Sequence, residues 1–258
     1  MDDDARRRRE KGNRLGPYFE VQLALANEIA VRSDGSFADA VAWCTNLHRR
    51  FGYGSIGVDE SPGAWRQFLG ELESATTLED RVHCAVEAFV AGQEEPVPSG
   101  REMFGCFAFD PPDDDGAVRL HFFNRDSADG VSPLAPSKIA RRRAELTALT
   151  RRVLHGHANA TSVLGGSWLY HLDAYRRLFP PAYVASRTPV EPVRLNGTSS
   201  WGQVLDHRER VKPHVRDEIL AKLTELDPSS PWRVFPLRPL RTTAPVDVFA
   251  AWYDRHEA

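Results

Sequence analysis

The sequence has no long apolar run and few cysteines, and each scarcity argues against a class of protein. No apolar stretch in its 258 residues approaches the roughly 20 residues that a membrane-spanning helix needs. The three cysteines, Cys44, Cys84 and Cys106, are odd in number and form no C-x-x-C pair, so they indicate neither a disulfide framework nor a structural zinc site. We therefore expect reduced thiols, no metal and no membrane partner.

Lysine is scarce as well, and the charge balance is slightly acidic. Only four of the 33 basic residues are lysine, so arginine carries most of the positive charge. Arginine suits bidentate recognition of anions, although a GC-rich genome produces the same bias. The net charge of -3 and the pI near 6.3 leave a nucleic-acid partner open but do not favour it. Because the N-terminal residues lack the apolar segment of a signal peptide, the sequence predicts a cytoplasmic protein.

The pattern of apolar residues predicts an α+β fold, in which a helical N-terminal layer is followed by a small, largely antiparallel or mixed sheet with flanking helices. Residues 1–14 are almost wholly polar or charged and are predicted to form a mobile tail. Residues 15–95 repeat apolar side chains at helical spacing. The proline-rich segment at 93–100 separates this helical region from the α+β region at 96–258, and we expect the two regions to pack as one domain.

After the proline-rich segment, the apolar period changes from 3.6 to 2. Residues 104–109 and 118–124 are rich in aromatic and β-favouring side chains and flank a turn sequence, which predicts an antiparallel hairpin. Residues 161–169 are predicted to form another strand, and residues 171–179 a short helix that ends at a Pro-Pro pair. The glycine pair 165–166 within the strand indicates a bulge or a close approach to the backbone.

Three motifs suggest chemistry but have an unfavourable context. The G-x-G-x-x-G of residues 52–57 follows a predicted helix, whereas a dinucleotide-binding fingerprint leaves a strand and opens a helix. The H-x-H of residues 155–157 lies at a predicted helix end, where the helix dipole favours histidine without any metal. Ser167 and His171 form a nucleophile pair only if a helix begins near Ser167, since extended backbone would separate their Cα atoms by about 13 Å. None of these is favoured, and the sequence indicates no cofactor.

The favoured interpretation is a polar site at the ends of two strands. If the hairpin and the strand at 161–169 share one sheet, their ends bring together imidazole, amide, guanidinium and aromatic groups. His171 or His121 is then the catalytic acid or base, and Arg125 or Arg176 is the anion clamp. The other predicted substrate-binding residues are Asn124, Ser167, Trp168 and Tyr170.

These residues predict a small soluble enzyme, a transferase or a hydrolase, that acts on an anionic small molecule by histidine acid/base catalysis. The alternative is a non-catalytic ligand-binding or interaction module, which docks a protein or nucleic-acid partner through arginine-rich faces. Taken singly, each aromatic residue is better explained as part of the core and each arginine as solvated surface. The sequence leaves the substrate, the reaction class and the oligomeric state open.

Overall fold

The computed structural model describes residues 3–54, 62–92 and 101–255. In chain order, the helices are α1 (Asp3–Ser33), α2 (Phe37–Cys44), α3 (Leu47–Arg50), α4 (Gly63–Ser74), α5 (Leu78–Ala91), α6 (Ile139–Gly156), α7 (Asp173–Arg176), α8 (Pro181–Ala185), α9 (Thr198–Trp201), α10 (Pro213–Lys222) and α11 (Val246–Asp254). The strands are β1 (Glu102–Phe104), β2 (Phe107–Phe109), β3 (Ala117–Phe122), β4 (Ser162–Ser167), β5 (Thr188–Pro189) and β6 (Leu240–Pro245). The proline-rich segment at 93–100 and Gly57 lie outside the described residues.

These elements confirm the predicted α+β fold with a mixed sheet. The six strands lie in the order β1-β2-β3-β4-β6-β5. The pair β3 and β4 is parallel, and the other neighbouring pairs are antiparallel. The residues predicted as a hairpin and the strand predicted at 161–169 therefore do belong to one sheet.

The chain folds into two compact units, and each unit contains two separate stretches of sequence. The first unit consists of Met1–Pro96 and Val193–Pro236, and the second of Val97–Pro192 and Leu237–Ala258. The sequence interpretation places one boundary near residue 96 and leaves the stretch at 193–236 with the sheet. In the structure this stretch belongs to the helical unit, because its apolar side chains are buried in the same cluster as those of α1.

Helix α1 begins earlier than the sequence predicts. The charged segment predicted as a mobile tail is helical from Asp3 onward. Gly12 allows α1 to approach α5 closely, since a β-carbon at this position would lie 3.2 Å from the ring of Phe89. Arg9 also pairs with Glu87 of α5, with 2.8 Å between Nη2 and Oε2. The contacts with α5 therefore offset the conformational entropy that this segment loses when it becomes helical. The composition of the segment alone would not offset it.

In the second unit, helices cover one face of the sheet. Val118 and Leu120 of β3 and Val163 of β4 point to this face and are buried with apolar residues of α6 and α11. Side chains alternate along a strand, so the residues between them point to the opposite face. That face, which we call the open face, carries Arg119, His121, Leu164, Gly166, Arg241 and Thr243, all exposed or half-buried.

Candidate functional site

The parallel pairing of β3 and β4 determines where the predicted site residues lie. The carboxyl ends of parallel neighbours meet at the same edge of a sheet. His121 is near the end of β3, and the exposed Asn124 and Arg125 follow it. Ser167 ends β4. The sheet therefore places the two predicted groups of site residues at one edge.

On the β4 side, Ser167 and His171 have separate hydrogen-bonding partners. Ser167 caps a 3₁₀ helix at Trp168–His171, because its Oγ accepts a hydrogen bond of 3.1 Å from the backbone N–H of Leu169. The imidazole of His171 is exposed, and its Nε2 lies 2.9 Å from the carbonyl oxygen of Arg238. The helix does begin directly after Ser167, but the Ser167 hydroxyl caps it, and the imidazole of His171 bonds to Arg238.

The remaining predicted residues on this side are divided between the core and the surface. Tyr170 is 1% exposed, and its hydroxyl lies 2.8 Å from that of Tyr183 inside the core of the second unit. Arg176 forms an ion pair with Asp173, one helical turn earlier. Trp168 is half-buried. Of the residues predicted here, His171 is the most accessible group with acid/base chemistry.

On the β3 side, His121 belongs to a chain of three charged or titratable groups. Its Nε2 lies 2.6 Å from Oδ2 of Asp110, and Nε of Arg101 donates to Oδ1 of Asp110 at 2.7 Å. Burial raises the pKa of the Asp110 carboxyl, but the hydrogen bonds from His121 and Arg101 outweigh it and hold the pKa at about 2. Asp110 is therefore an ionised acceptor at neutral pH.

This carboxylate determines which nitrogen of His121 carries the proton. An ionised carboxylate only accepts hydrogen bonds, so Nε2 of His121 is the protonated nitrogen and Nδ1 of the neutral ring is an acceptor. Within the described part of the chain, no protein group bonds to that Nδ1. His121 thus has one nitrogen oriented by the protein and one left for a ligand.

The β2–β3 hairpin brings the two partners together. His121 is directly opposite Ala108, and Asp110 follows two residues later, just beyond the end of β2. The backbone N–H of Asp110 donates to the carbonyl of Arg119 at 3.0 Å, which fixes the carboxylate beside the strand that carries His121. The residue opposite His121 is alanine, whose small side chain leaves room for the imidazole.

A glycine separates His121 from an arginine on the open face. Leu120 pairs with Gly165, so continuing the register by one residue places Gly166 beside His121. Gly166 in turn pairs with Arg241 of β6. A β-carbon on Gly166 would meet no atom within 4 Å. We call this space the Gly166 notch. His121 and Arg241 border it from the strands on either side of β4, so their Cα atoms lie about 10 Å apart.

Two arginines of the open face have no side-chain partner in the described part of the chain. Among the residues that the structure describes, none forms a side-chain hydrogen bond or ion pair with Arg119 or Arg241. Arg119 pairs in register with Leu164 of β4, and Arg241 with Gly166. Unpaired guanidinium groups on a fixed strand are well suited to bind carboxylate or phosphate.

Sequence reasoning finds His121 but misses most of its surroundings. Arg119 is two residues from His121 in a predicted strand, so the period of two could have placed both on one face. Asp110 directly follows the partner strand of the predicted hairpin, which is also a readable signal. Arg241 gives no such signal, because the sequence predicts an edge strand only over residues 233–240, whereas β6 begins at Leu240.

A buried charge network anchors the loop that follows His121. Arg142 of α6 is 1% exposed and donates from Nη2 to Asp126 at 2.8 Å and to Glu145 at 2.7 Å. Glu145 also accepts the backbone N–H of Cys106 at 3.0 Å, and the thiol of Cys106 contacts Nη1 of Arg142. The network therefore ties the loop and the β1–β2 turn to one helix.

The first unit contains a separate groove between α1, α5 and α10. It has a volume of about 660 Å³. Two arginines line it, but both are engaged: Arg81 donates to Asn27 at 3.0 Å, and Arg32 to the carbonyl of Thr224 at 2.9 Å. Both arginines of this groove are therefore held by protein groups, unlike Arg119 and Arg241 of the open face.

The described residues include no cluster of three or more His, Cys, Asp or Glu side chains arranged to hold a metal ion. No helix in the described ranges combines the length and the apolar character that crossing a membrane requires. The chain matches no protein-family model, no curated protein and no solved structure.

Proposed function

We propose that the open face binds an anionic small molecule and that His121 acts on it as a general acid or base. The observation that supports this proposal is the Asp110–His121 pair. Nδ1 of His121 bonds to no described protein group, and His121 lies beside the Gly166 notch. Arg119 and Arg241 are cations of the same face, and neither pairs with a residue that the structure describes. The imidazole of β3 and the guanidinium of β6 thus lie on either side of Gly166 in β4, so acid/base chemistry and anion binding come from neighbouring positions of the sheet.

Each residue has a defined role in this proposal. With its ring neutral, His121 can accept a proton at Nδ1 from a substrate hydroxyl or from water, and the ionised Asp110 stabilises the resulting imidazolium. The same nitrogen then returns the proton to the leaving group. Arg101 acts as a positioning residue, since it holds the second oxygen of Asp110. In this proposal Arg241 is the anion clamp, in place of the Arg125 or Arg176 that the sequence predicts; Arg176 already pairs with Asp173.

The pairing of other arginines favours this proposal over an interaction module. The N-terminal arginines Arg6 and Arg7 both pair with Asp3. Arg152, on the arginine-rich helix α6, pairs with Glu102 of β1. These faces therefore present less uncompensated charge to a protein or nucleic-acid partner than their sequence suggests.

Chemical modification tests the binding part of the proposal. Diethyl pyrocarbonate reacts with unprotonated histidine nitrogens, and mass spectrometry locates the product on each histidine. We expect inorganic phosphate to slow the modification of His121 and to leave that of the exposed His171 unchanged. Equal rates at His121 with and without phosphate would show that the anion does not bind beside it.

Kinetics of two histidine variants test the catalytic part. The wild type, His121→Ala and His171→Ala are assayed on a panel of small phosphate, sulfate and carboxylate esters. Loss of a general acid or base typically slows turnover about 10²-fold or more. We expect this loss for His121→Ala and wild-type turnover for His171→Ala. Turnover that survives in His121→Ala, or a panel on which the wild type has no activity, counts against the proposed catalysis.

A further inference from the structure

The open face has two rows of residues with different chemistry. His121, Gly166 and Arg241 form one row across β3, β4 and β6, which contains an imidazole, open space and a guanidinium. A second row lies two residues away along the strands. It consists of Arg119, Leu164 and Thr243, in which the half-buried leucine is an apolar floor between an arginine and a hydroxyl.

The first row fits a phosphate group. Because Gly166 has no side chain, a tetrahedral anion can approach the strand closely while Arg241 binds it from one side. His121, on the other side, is then adjacent to the group that reacts. A bulky apolar body fits this row less well, since its border consists of polar groups.

The second row fits a planar ring. Leu164 provides an apolar surface on which a ring can lie, and the guanidinium of Arg119 can stack on the ring face. The rows are two residues apart along a strand, a separation of about 7 Å. A ribose that carries a base and a 5′-phosphate spans such a distance.

We propose that the ligand of the open face is a nucleoside monophosphate, with its phosphate in the Gly166 notch and its base on Leu164 beside Arg119. This inference rests on the proposed function, which requires only an anion. It adds the class of the molecule that carries the anion. It also assigns different roles to the two unpaired arginines: Arg241 recognises the phosphate, and Arg119 recognises the base.

Isothermal titration calorimetry with four probes tests the proposal: adenosine 5′-monophosphate, ribose 5-phosphate, inorganic phosphate and a single-stranded oligonucleotide. We expect adenosine 5′-monophosphate to bind about tenfold more tightly than ribose 5-phosphate, which is the scale of a ring–guanidinium contact. Arg119→Met should abolish that difference without weakening ribose 5-phosphate. Arg241→Met should weaken both, and Arg255→Met, at an exposed arginine of the C-terminal end, should weaken neither.

The outcomes separate this inference from the proposed function. If ribose 5-phosphate and adenosine 5′-monophosphate bind equally well, and Arg241→Met weakens both, the open face binds anions but the inferred base contact is wrong. If the oligonucleotide binds more tightly than the mononucleotide, the face is a polyanion surface and the inference is overturned. If no probe binds, both proposals fail. Circular dichroism of each variant confirms that it is folded.

Discussion

At the scale of single residues, two adjacent glycines of β4 have opposite environments. A β-carbon on Gly165 would collide with the hydroxyls of Tyr170 and Tyr183 in the core. A β-carbon on Gly166 would enter empty space on the open face. The sequence predicts a bulge or a close approach at this glycine pair, and for Gly165 the approaching groups are the hydroxyls of the core tyrosine pair. Which glycine faces the core depends on the strand register, which local sequence does not determine.

The first prediction compares these two glycines. Gly165→Ala should destabilise the protein by about 1–3 kcal/mol, because the added methyl group overpacks a core that already contains two tyrosine hydroxyls. Gly166→Ala is the matched control and should change the free energy of unfolding little. Urea denaturation of both variants measures the effect. Equal stability of the two variants would mean that the side assigned to each glycine is wrong.

The second prediction compares two adjacent arginines of α6 that share Asp126 as a partner. Arg142→Ala removes the buried member and leaves Asp126 and Glu145 without their shared cation, which should cost about 3–5 kcal/mol of unfolding free energy. Arg141→Ala removes an exposed partner of Asp126 and should cost much less. Similar losses in the two variants would contradict the role of burial in this network.

The third prediction concerns His48, which is 3% exposed and packs edge-on against Trp65 at 5.8 Å between ring centroids. Burial, with a contribution from the neighbouring Arg49, lowers its pKa to about 4. Between this value and the unfolded pKa of about 6.5, the unfolded state binds more protons, so His48 makes the protein less stable as pH falls through this range. His48→Phe should make the free energy of unfolding less dependent on pH between 6.5 and 4. Parallel pH profiles of variant and wild type would exclude this origin.

At the scale of elements, periodicity predicts a helix or strand when the face that it buries repeats apolar residues along its own sequence. The apolar stripe of α11 and the hairpin strands are of this kind. The N-terminal half of α1 is not, because its partner α5 lies far along the chain and its contacts come from Gly12 and Arg9 instead of an apolar stripe. The sequence also predicts an edge strand at 233–240, whereas β6 begins at Leu240 and lies between β4 and β5. Pro236 and Pro239 delay the strand, since neither can donate to a ladder.

The fourth prediction tests the early start of α1. If residues 3–14 form a helix packed on α5, their backbone amides beyond the first turn should exchange with deuterium more slowly than those of an unstructured peptide. Hydrogen-exchange mass spectrometry of the intact protein measures this directly. Gly12→Glu, which places a charged side chain against Phe89, should accelerate exchange in the segment. Complete exchange of the wild-type segment at the earliest time point would support the mobile tail instead.

At the scale of the whole molecule, the sequence predicts the fold class but not how the chain is divided. Residues 193–236 join the helical unit and residues 237–258 the sheet unit, so both units are discontinuous in sequence. Local patterns identify an amphipathic helix such as α10 but not the distant residues that it packs against. The candidate site has the same limitation: β3 and its histidine are readable, whereas Arg241 depends on long-range strand pairing.

The central claim is that the open face of the sheet binds a small anion, and amide chemical-shift mapping tests it most directly. Perdeuterated, ¹⁵N-labelled protein is titrated with adenosine 5′-monophosphate and with inorganic phosphate. We expect the largest shifts at the amides of His121, Gly166 and Arg241, with those of Arg32 and Arg81 in the first unit unchanged. Shifts that cluster around Arg32 and Arg81, or no shifts at any amide, would contradict the assignment.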